Sequence, residues 1–332
     1  MTAADTQPQP TSERAPRILL IDTLRGIALI AMATYHFTWD IEFFGYVDPG
    51  TATQGFFRLY ARAIASSFLF LAGMSLVLAH GRGIRWPSFW KRLTIVAGAA
   101  IAISIATFFI FPQEWIFFGI LHNIALSSVI GLAFLQLPLA IAFAVPVMIV
   151  AAMIVDAVIM PGMLQSSLFE TRWLAWIGFA DFPPRSNDYV PLFPWLAALL
   201  MGIAVTRLAI ARGWTARLAK LQSTDTMLAK AGRHSLIIYL VHQPILLALV
   251  YFFSLVSPAP APDPRLVYMN SCQPSCLRET GDPALCQRFC GCTADKLIAE
   301  QLMTPLQNGT INAQDNRVQI MAQECSIDAQ QP

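Results

Sequence analysis

Asp22, Arg25, His36 and Asp40 all lie in one apolar stretch, IDTLRGIALIAMATYHFTWD at 21–40, and His122 and His242 lie in two later ones. An ionisable side chain at bilayer depth is costly, so its default reading is a functional site. Asp22 and Arg25 are three residues apart and His36 and Asp40 four, so each pair shares a helix face. A neutral imidazole takes up a proton and returns it near pH 7, which suits general-base work in group transfer. Asp40 is spaced to fix the tautomer of His36, as carboxylates do in other sites. Along a helix, roughly 21 Å separates Asp22 from His36, most of a hydrocarbon core of about 30 Å. His36, His122 and His242 then bracket the membrane centre and could form a polar track. A helix–helix hydrogen bond would equally account for His122. Backbone groups freed by Pro244 would account for His242.

Two basic sets complete the candidates. Arg82, Arg85, Lys91 and Arg92 form a compact cluster able to clamp phosphates, with arginine offering bidentate geometry. No Gly-rich phosphate loop accompanies them. Arg58 and Arg62, one helical turn apart, could contact an acceptor sugar or an anionic headgroup, or simply snorkel.

The elements that must carry these residues are membrane helices. The 332-residue chain is 56% hydrophobic and 13% charged, where a soluble domain would carry about twice that charge. The apolar residues fall in long runs, so the expected fold is all-α, a polytopic bundle of about seven spans. The spans are expected at 19–44, 57–79, 90–111, 115–135, 138–159, 192–211 and 234–257. Lys and Arg concentrate before the first span, in 82–92 and in 207–233, whereas loops 45–56, 112–114 and 160–191 carry few. The positive-inside rule then predicts an inner-membrane protein with a cytoplasmic N-terminus and an extracytoplasmic C-terminus. Trp39, Trp90, Trp115 and Trp195 sit at proposed span ends, as an interfacial belt would. Residues 1–16 read as a disordered cytoplasmic lead, and LFETRWLAWIGF at 168–179 as a segment that lies along the outer interface or covers an outer cavity.

Beyond the last span, SPAPAPDP at 257–264 reads as a stiff linker. The remaining segment, 265–332, is polar and holds every cysteine: Cys272, Cys276, Cys286, Cys290, Cys292 and Cys325. On the extracytoplasmic side these are expected as disulfides. Two helices folded back on each other would allow 272–290 and 276–286, leaving 292–325, one of fifteen connectivities. Cys286-x3-Cys290-x-Cys292 could instead ligate a metal. The tail has no histidine, however, and no metal is expected.

Asp22, Arg25, Gly26, Ala28 and His36 resemble the first-helix motif of the integral-membrane acyltransferases. That superfamily includes the acyltransferase-3 proteins and the heparan-α-glucosaminide N-acetyltransferases. SSFLFLAGMSL at 66–76, FFGILHNIALS at 117–127 and GRHSLIIYLVHQP at 232–244 resemble the glucosaminide family's bacterial relatives in the same order. The likeness spans 17–257 and implies transfer of an acetyl or similar group from coenzyme A to a hydroxyl or amine of an outer-face glycan or lipid. In the family's animal enzymes the proposed active histidine lies in the loop after the first helix. Loop 45–56 has none here, and His36 sits where the acyltransferase-3 motif places its histidine. Direct general-base transfer and an acyl-histidine intermediate both stay open.

The expected site is therefore His36, Asp40, His122 and His242 for catalysis. Asp22 and Arg25 organise it, Arg82, Arg85, Lys91 and Arg92 hold acetyl-coenzyme A, and Arg58 and Arg62 meet the acceptor. Expected partners are membrane lipids and that acceptor, with a homodimer open and no nucleic acid. The competing reading is a proton-coupled solute transporter that uses the three histidines as a relay. A sensor or assembly factor acting through the cysteine-rich tail is a third. Transporters commonly carry internal repeats, and the motif around His36 has no echo in the second half.

Overall fold

The computed structural model describes residues 18–222, 224–260 and 263–330. The expected lead at 1–16 and linker residues Ala261 and Pro262 lie outside them. Among the described residues the chain is helical, with two isolated bridges and no strand. In order come α1 (Leu19–Phe43), α2 (Gly55–His80), α3 (Trp86–Ile110), α4 (Ile120–Phe134), α5 (Leu139–Ile154), a one-turn α6 (Arg172–Ala175) and α7 (Leu192–Ala211). Then come α8 (Trp214–Leu221), α9 (Met227–Arg233), α10 (Ser235–Val256), α11 (Pro264–Thr280), α12 (Pro283–Ala299), α13 (Met303–Gln307) and α14 (Asn316–Gln330).

Six of these helices are long and apolar enough to cross a membrane: α1, α2, α3, α5 with its π-helical extension to Ile159, α7 and α10. They coincide with six of the seven expected spans. The remaining one, expected at 115–135, is the shorter apolar helix α4 of 15 residues. It starts late because Gly119 is extended and Phe118 before it is bridged to Tyr189.

The described residues divide into two compact units, one within 18–32 and 62–241, the other within 33–61 and 242–330. In the first, α7 is the central element. Leu196, Leu199, Leu200 and Ile203 pack with Leu69, Ala72, Leu76 and Val77 of α2 in one core. The two helices meet through small residues, as membrane helices do to bring backbones close. A Cβ on Gly73 would overlap the Leu199 carbonyl, and one on Gly202 would overlap that of Phe70. By contrast α3 leaves Ile101, Ile105, Phe108 and Phe109 exposed, and α5 leaves Val147, Met148 and Ile154. Such apolar faces suit contact with lipid.

Hydrogen bonds sort the loops of this unit into two ends. At one, Arg207 donates to the carbonyl of Phe134 over 2.7 Å. At the other, the amides of Asn187 and Val190 donate to the carbonyls of Glu114 and Phe118 over 2.9 and 3.1 Å. Connection 111–119 and loop 160–191 therefore share an end.

In the second unit, Glu42 accepts from the amides of Gly50 and Ala52 over 2.7 and 2.6 Å, closing the turn between α1 and α2. The tail is a helical bundle. Asp263 and Asp282 cap α11 and α12, each followed by proline at the first helical position. Gly281, at φ 69°, ends α11 in the left-handed conformation that lets the chain reverse. Disulfides join Cys272 to Cys290, Cys276 to Cys286 and Cys292 to Cys325. Ala294, Leu297, Leu302 and Met303 form a small core. A core of that size is thin, and each disulfide contributes about 2–4 kcal/mol.

Two outcomes follow. Gly202→Val should lower stability by about 1–3 kcal/mol through overpacking. Gly98→Val, on α3 with nothing near its Cβ, should be neutral, as thermal unfolding in detergent would show. Maleimide labelling of intact cells should detect no tail thiol until a membrane-impermeant reductant is added. Thiols that react without reductant, and only after permeabilisation, would instead put the tail in the cytosol.

Candidate functional site

The first unit holds a cavity of about 410 Å³. Arg25, Ser88, Lys91, Arg92, Ser235 and Tyr239 supply its polar lining, while Phe68, Leu71, Ile95, Val96, Ile120 and Ile124 are among its apolar walls. Its size is that of a small-molecule site, with few polar groups on an apolar surface.

The first-helix motif explains how Arg25 is held there. Its Nη1 donates to Oδ1 of Asp22 over 2.7 Å, and its Nη2 donates to the Ser75 hydroxyl. Asp22 is buried, so the pair leaves no lone charge in the apolar interior. Gly26 has a separate reason. A Cβ there would overlap the Leu228 carbonyl, and one on Gly232 would overlap that of Asp22, so α1 and α9 touch backbone to backbone.

The basic cluster divides. Lys91 and Arg92 line the cavity. Arg85 instead builds the turn before α3, its Nε donating to the Ala79 carbonyl over 2.9 Å and its amide to Nδ1 of His80 over 3.2 Å. Arg82 is exposed. Arg58 and Arg62 are exposed on α2.

His36 and His242 come together in the second unit, with ring centroids 5.0 Å apart at 63°. Asp40 is fully buried beside them in sequence, but its Oδ1 accepts from Nε2 of Gln243 over 2.6 Å rather than from His36. Its Oδ2 has no hydrogen-bond partner among the described residues. The carboxylate thus fixes α1 to α10, next to the histidine pair.

His122 belongs to the first unit. Its Nδ1 accepts from the amide of Gly119 over 3.2 Å. The neutral ring then carries its proton on Nε2, which lies 3.1 Å from the Ser104 hydroxyl. That hydroxyl donates onward to the Ile116 carbonyl over 2.6 Å. Both ring nitrogens are committed to starting α4 and tying it to α3. Beside it, Asn123 donates to the carbonyls of Val190 and Pro191 over 3.1 and 2.8 Å and accepts from Ser127.

Asp188 is the residue that sequence reasoning passed over. Its Oδ2 accepts from the amide of Ile120 over 2.9 Å, and it accepts from the Tyr239 hydroxyl. Burial raises its carboxyl above the usual carboxylate range, against the pull of those two donors. Its neighbour Tyr189 donates to the Ala175 carbonyl over 2.6 Å, and burial pushes its phenol up to about 12. Gln243, Tyr239 and Asn123 all stood inside recognised motifs. Their signal was an uncharged polar side chain within an apolar run.

Residues 17–244 match the family model described as heparan-alpha-glucosaminide N-acetyltransferase, catalytic. The chain belongs to this family. Neither a curated protein nor a solved structure matches it. Membership makes the chain a membrane acetyltransferase-like protein, in a family whose donor is acetyl-coenzyme A. The N-acetyltransferase match takes in Arg25, the histidine pair, the cavity, Asp188 and Gln243, and stops before the disulfide-bonded tail.

His122→Ala should lower the melting temperature in detergent while leaving the affinity for coenzyme A close to that of the parent protein. A stable variant with abolished transfer would instead make His122 part of the chemistry.

Proposed function

We propose that the protein transfers an acetyl group from acetyl-coenzyme A, on the cytoplasmic side, to a hydroxyl or amine of an extracytoplasmic glycan or lipid. The observation that carries this reading is the cavity, which sets Arg25, Lys91 and Arg92 beside long apolar walls. The cations suit phosphates, and the apolar walls suit a pantetheine arm. The sidedness rests on the sorting of Lys and Arg between loops.

Acetyl-coenzyme A supplies the activated thioester. His36 then takes the proton of the attacking hydroxyl or amine as that oxygen or nitrogen bonds the acetyl carbon. The carbon–sulfur bond breaks, and His36 returns the proton to the departing sulfur. Alternatively, a ring nitrogen of His36 bonds the acetyl carbon as the carbon–sulfur bond breaks, and coenzyme A leaves as the thiol with the ring's proton. The acceptor oxygen or nitrogen then bonds the acetyl carbon, the carbon–nitrogen bond to His36 breaks, and the acceptor's proton returns to the ring. His242, in ring contact, orients His36 in either route. Asp40 acts one step away, by holding Gln243 and so the position of α10. Arg58 and Arg62, exposed on α2, are candidates for the acceptor's contacts. The tail, outside the family match, is proposed as separable from transfer.

The test is transfer of labelled acetyl from acetyl-coenzyme A by purified protein, offered glucosamine or envelope glycan and lipid extracts. His36→Ala should cost about 10²–10⁴-fold in rate, and Asp40→Asn less. Coenzyme A binding should survive both. Lys91→Ala and Arg92→Ala should raise the donor KM instead. Unchanged transfer by His36→Ala would remove it from the reaction. Solute uptake that needs all three histidines, with no transfer, would favour a transporter.

A further inference from the structure

A loop residue holds two walls of the cavity together. Tyr239 of α10 and Ile120 of α4 both line it. One half-buried residue, Asp188, accepts through its carboxylate from the Tyr239 hydroxyl and from the Ile120 amide. The fit is close, because a Cβ on Gly119 would overlap Oδ2 of Asp188.

The segment carrying Asp188 is fixed on both sides. The amides of Asn187 and Val190 donate to 111–119, Ser186 donates to the Asp188 carbonyl over 3.0 Å, and Asn123 holds the carbonyls of Val190 and Pro191. Irregular backbone in a membrane protein is tolerated where other parts of the chain satisfy its polar groups. This segment belongs to the end of the unit that carries 111–119. Lys91 and Arg92 lie in the opening turns of α3, which begins at the other end.

We propose that Asp188 is a positioning residue: through Tyr239 and the first turn of α4 it sets where the thioester end of the donor comes to rest, while Lys91 and Arg92 set how tightly the donor binds. The inference rests on the cavity being the donor site. In group transfer, a small displacement of the reacting carbon costs rate far more than affinity.

A non-hydrolysable probe, S-trifluoroethyl-coenzyme A, tests it without an acceptor. Its fluorine resonance reports the surroundings of the sulfur end when bound to the full chain in detergent. Tyr239→Phe removes one hydroxyl, and Gly119→Ala pushes the Asp188 carboxylate aside without replacing the residue. Both should keep the probe's Kd near the parent value and shift its bound resonance. Both should also lower kcat for acetyl transfer to glucosamine with little change in donor KM. Asp188→Ala should do the same. Asp188→Asn should be largely rescued, because its carboxamide can accept from Ile120 and donate to the Tyr239 oxygen. Arg92→Ala should weaken binding roughly tenfold or more, with the bound resonance unmoved. If Tyr239→Phe and Gly119→Ala bind the probe with the parent resonance, the positioning role is wrong and the donor site stands. If the parent protein does not bind the probe, or Arg92→Ala and Lys91→Ala bind it as tightly, the donor site is wrong and this role goes with it.

Discussion

The close crossing of α2 and α7 is the constraint on which the rest of the first unit depends. Gly73 and Gly202 each face a backbone carbonyl of the other helix, with no room for a methyl group. In a bilayer the hydrophobic effect does not press two helices together, so close packing must hold them. That contact fixes α2, and α2 presents Leu71 and Ala72 to the cavity and Ser75 to Arg25. Arg25 in turn needs Asp22, whose carbonyl lies against Gly232 of α9. A chain of short contacts thus runs from the packed centre to the charged lining of the cavity.

Much of this was legible in the sequence because a membrane simplifies the problem. Long apolar runs gave six spans within a few residues, and Asp22 with Arg25 announced itself as a pair by spacing alone. The cysteine spacings were compatible with the pairing found. What spacing could not supply was the choice among partners. Asp40 shares a helix face with His36, yet Gln243 takes its oxygen from another helix 203 residues away in sequence. Likewise Arg85 and Lys91 looked equivalent in a basic run, but Arg85 lies in the turn before α3, and Lys91, inside the helix, lines the cavity. Asp188 gave no signal, since a loop aspartate reads as solvated until the fold buries it.

The two parts of the chain are stabilised by different means. Residues 17–244, the family match, rely on apolar helices and on polar groups that find partners within the bundle. The tail relies on caps, covalent bonds and a few ion pairs, such as Arg265 with Asp295 and Lys296 with Glu324. Arg288 adds a double donation to the Ala329 carbonyl, which secures the end of α14. These are devices that hold a polar segment whose own core is small.

The closure of all three disulfides within 272–325 has a consequence for how the protein could be processed. No cystine crosses from the tail to the helices before it, so a single backbone thread through 257–264 is their one covalent tie. One peptide cut in that thread would sever the tail from the span it follows without breaking a sulfur–sulfur bond. The tail could then be released as an intact, cross-linked particle, while every residue matched to the acetyltransferase family stayed with the membrane-spanning part.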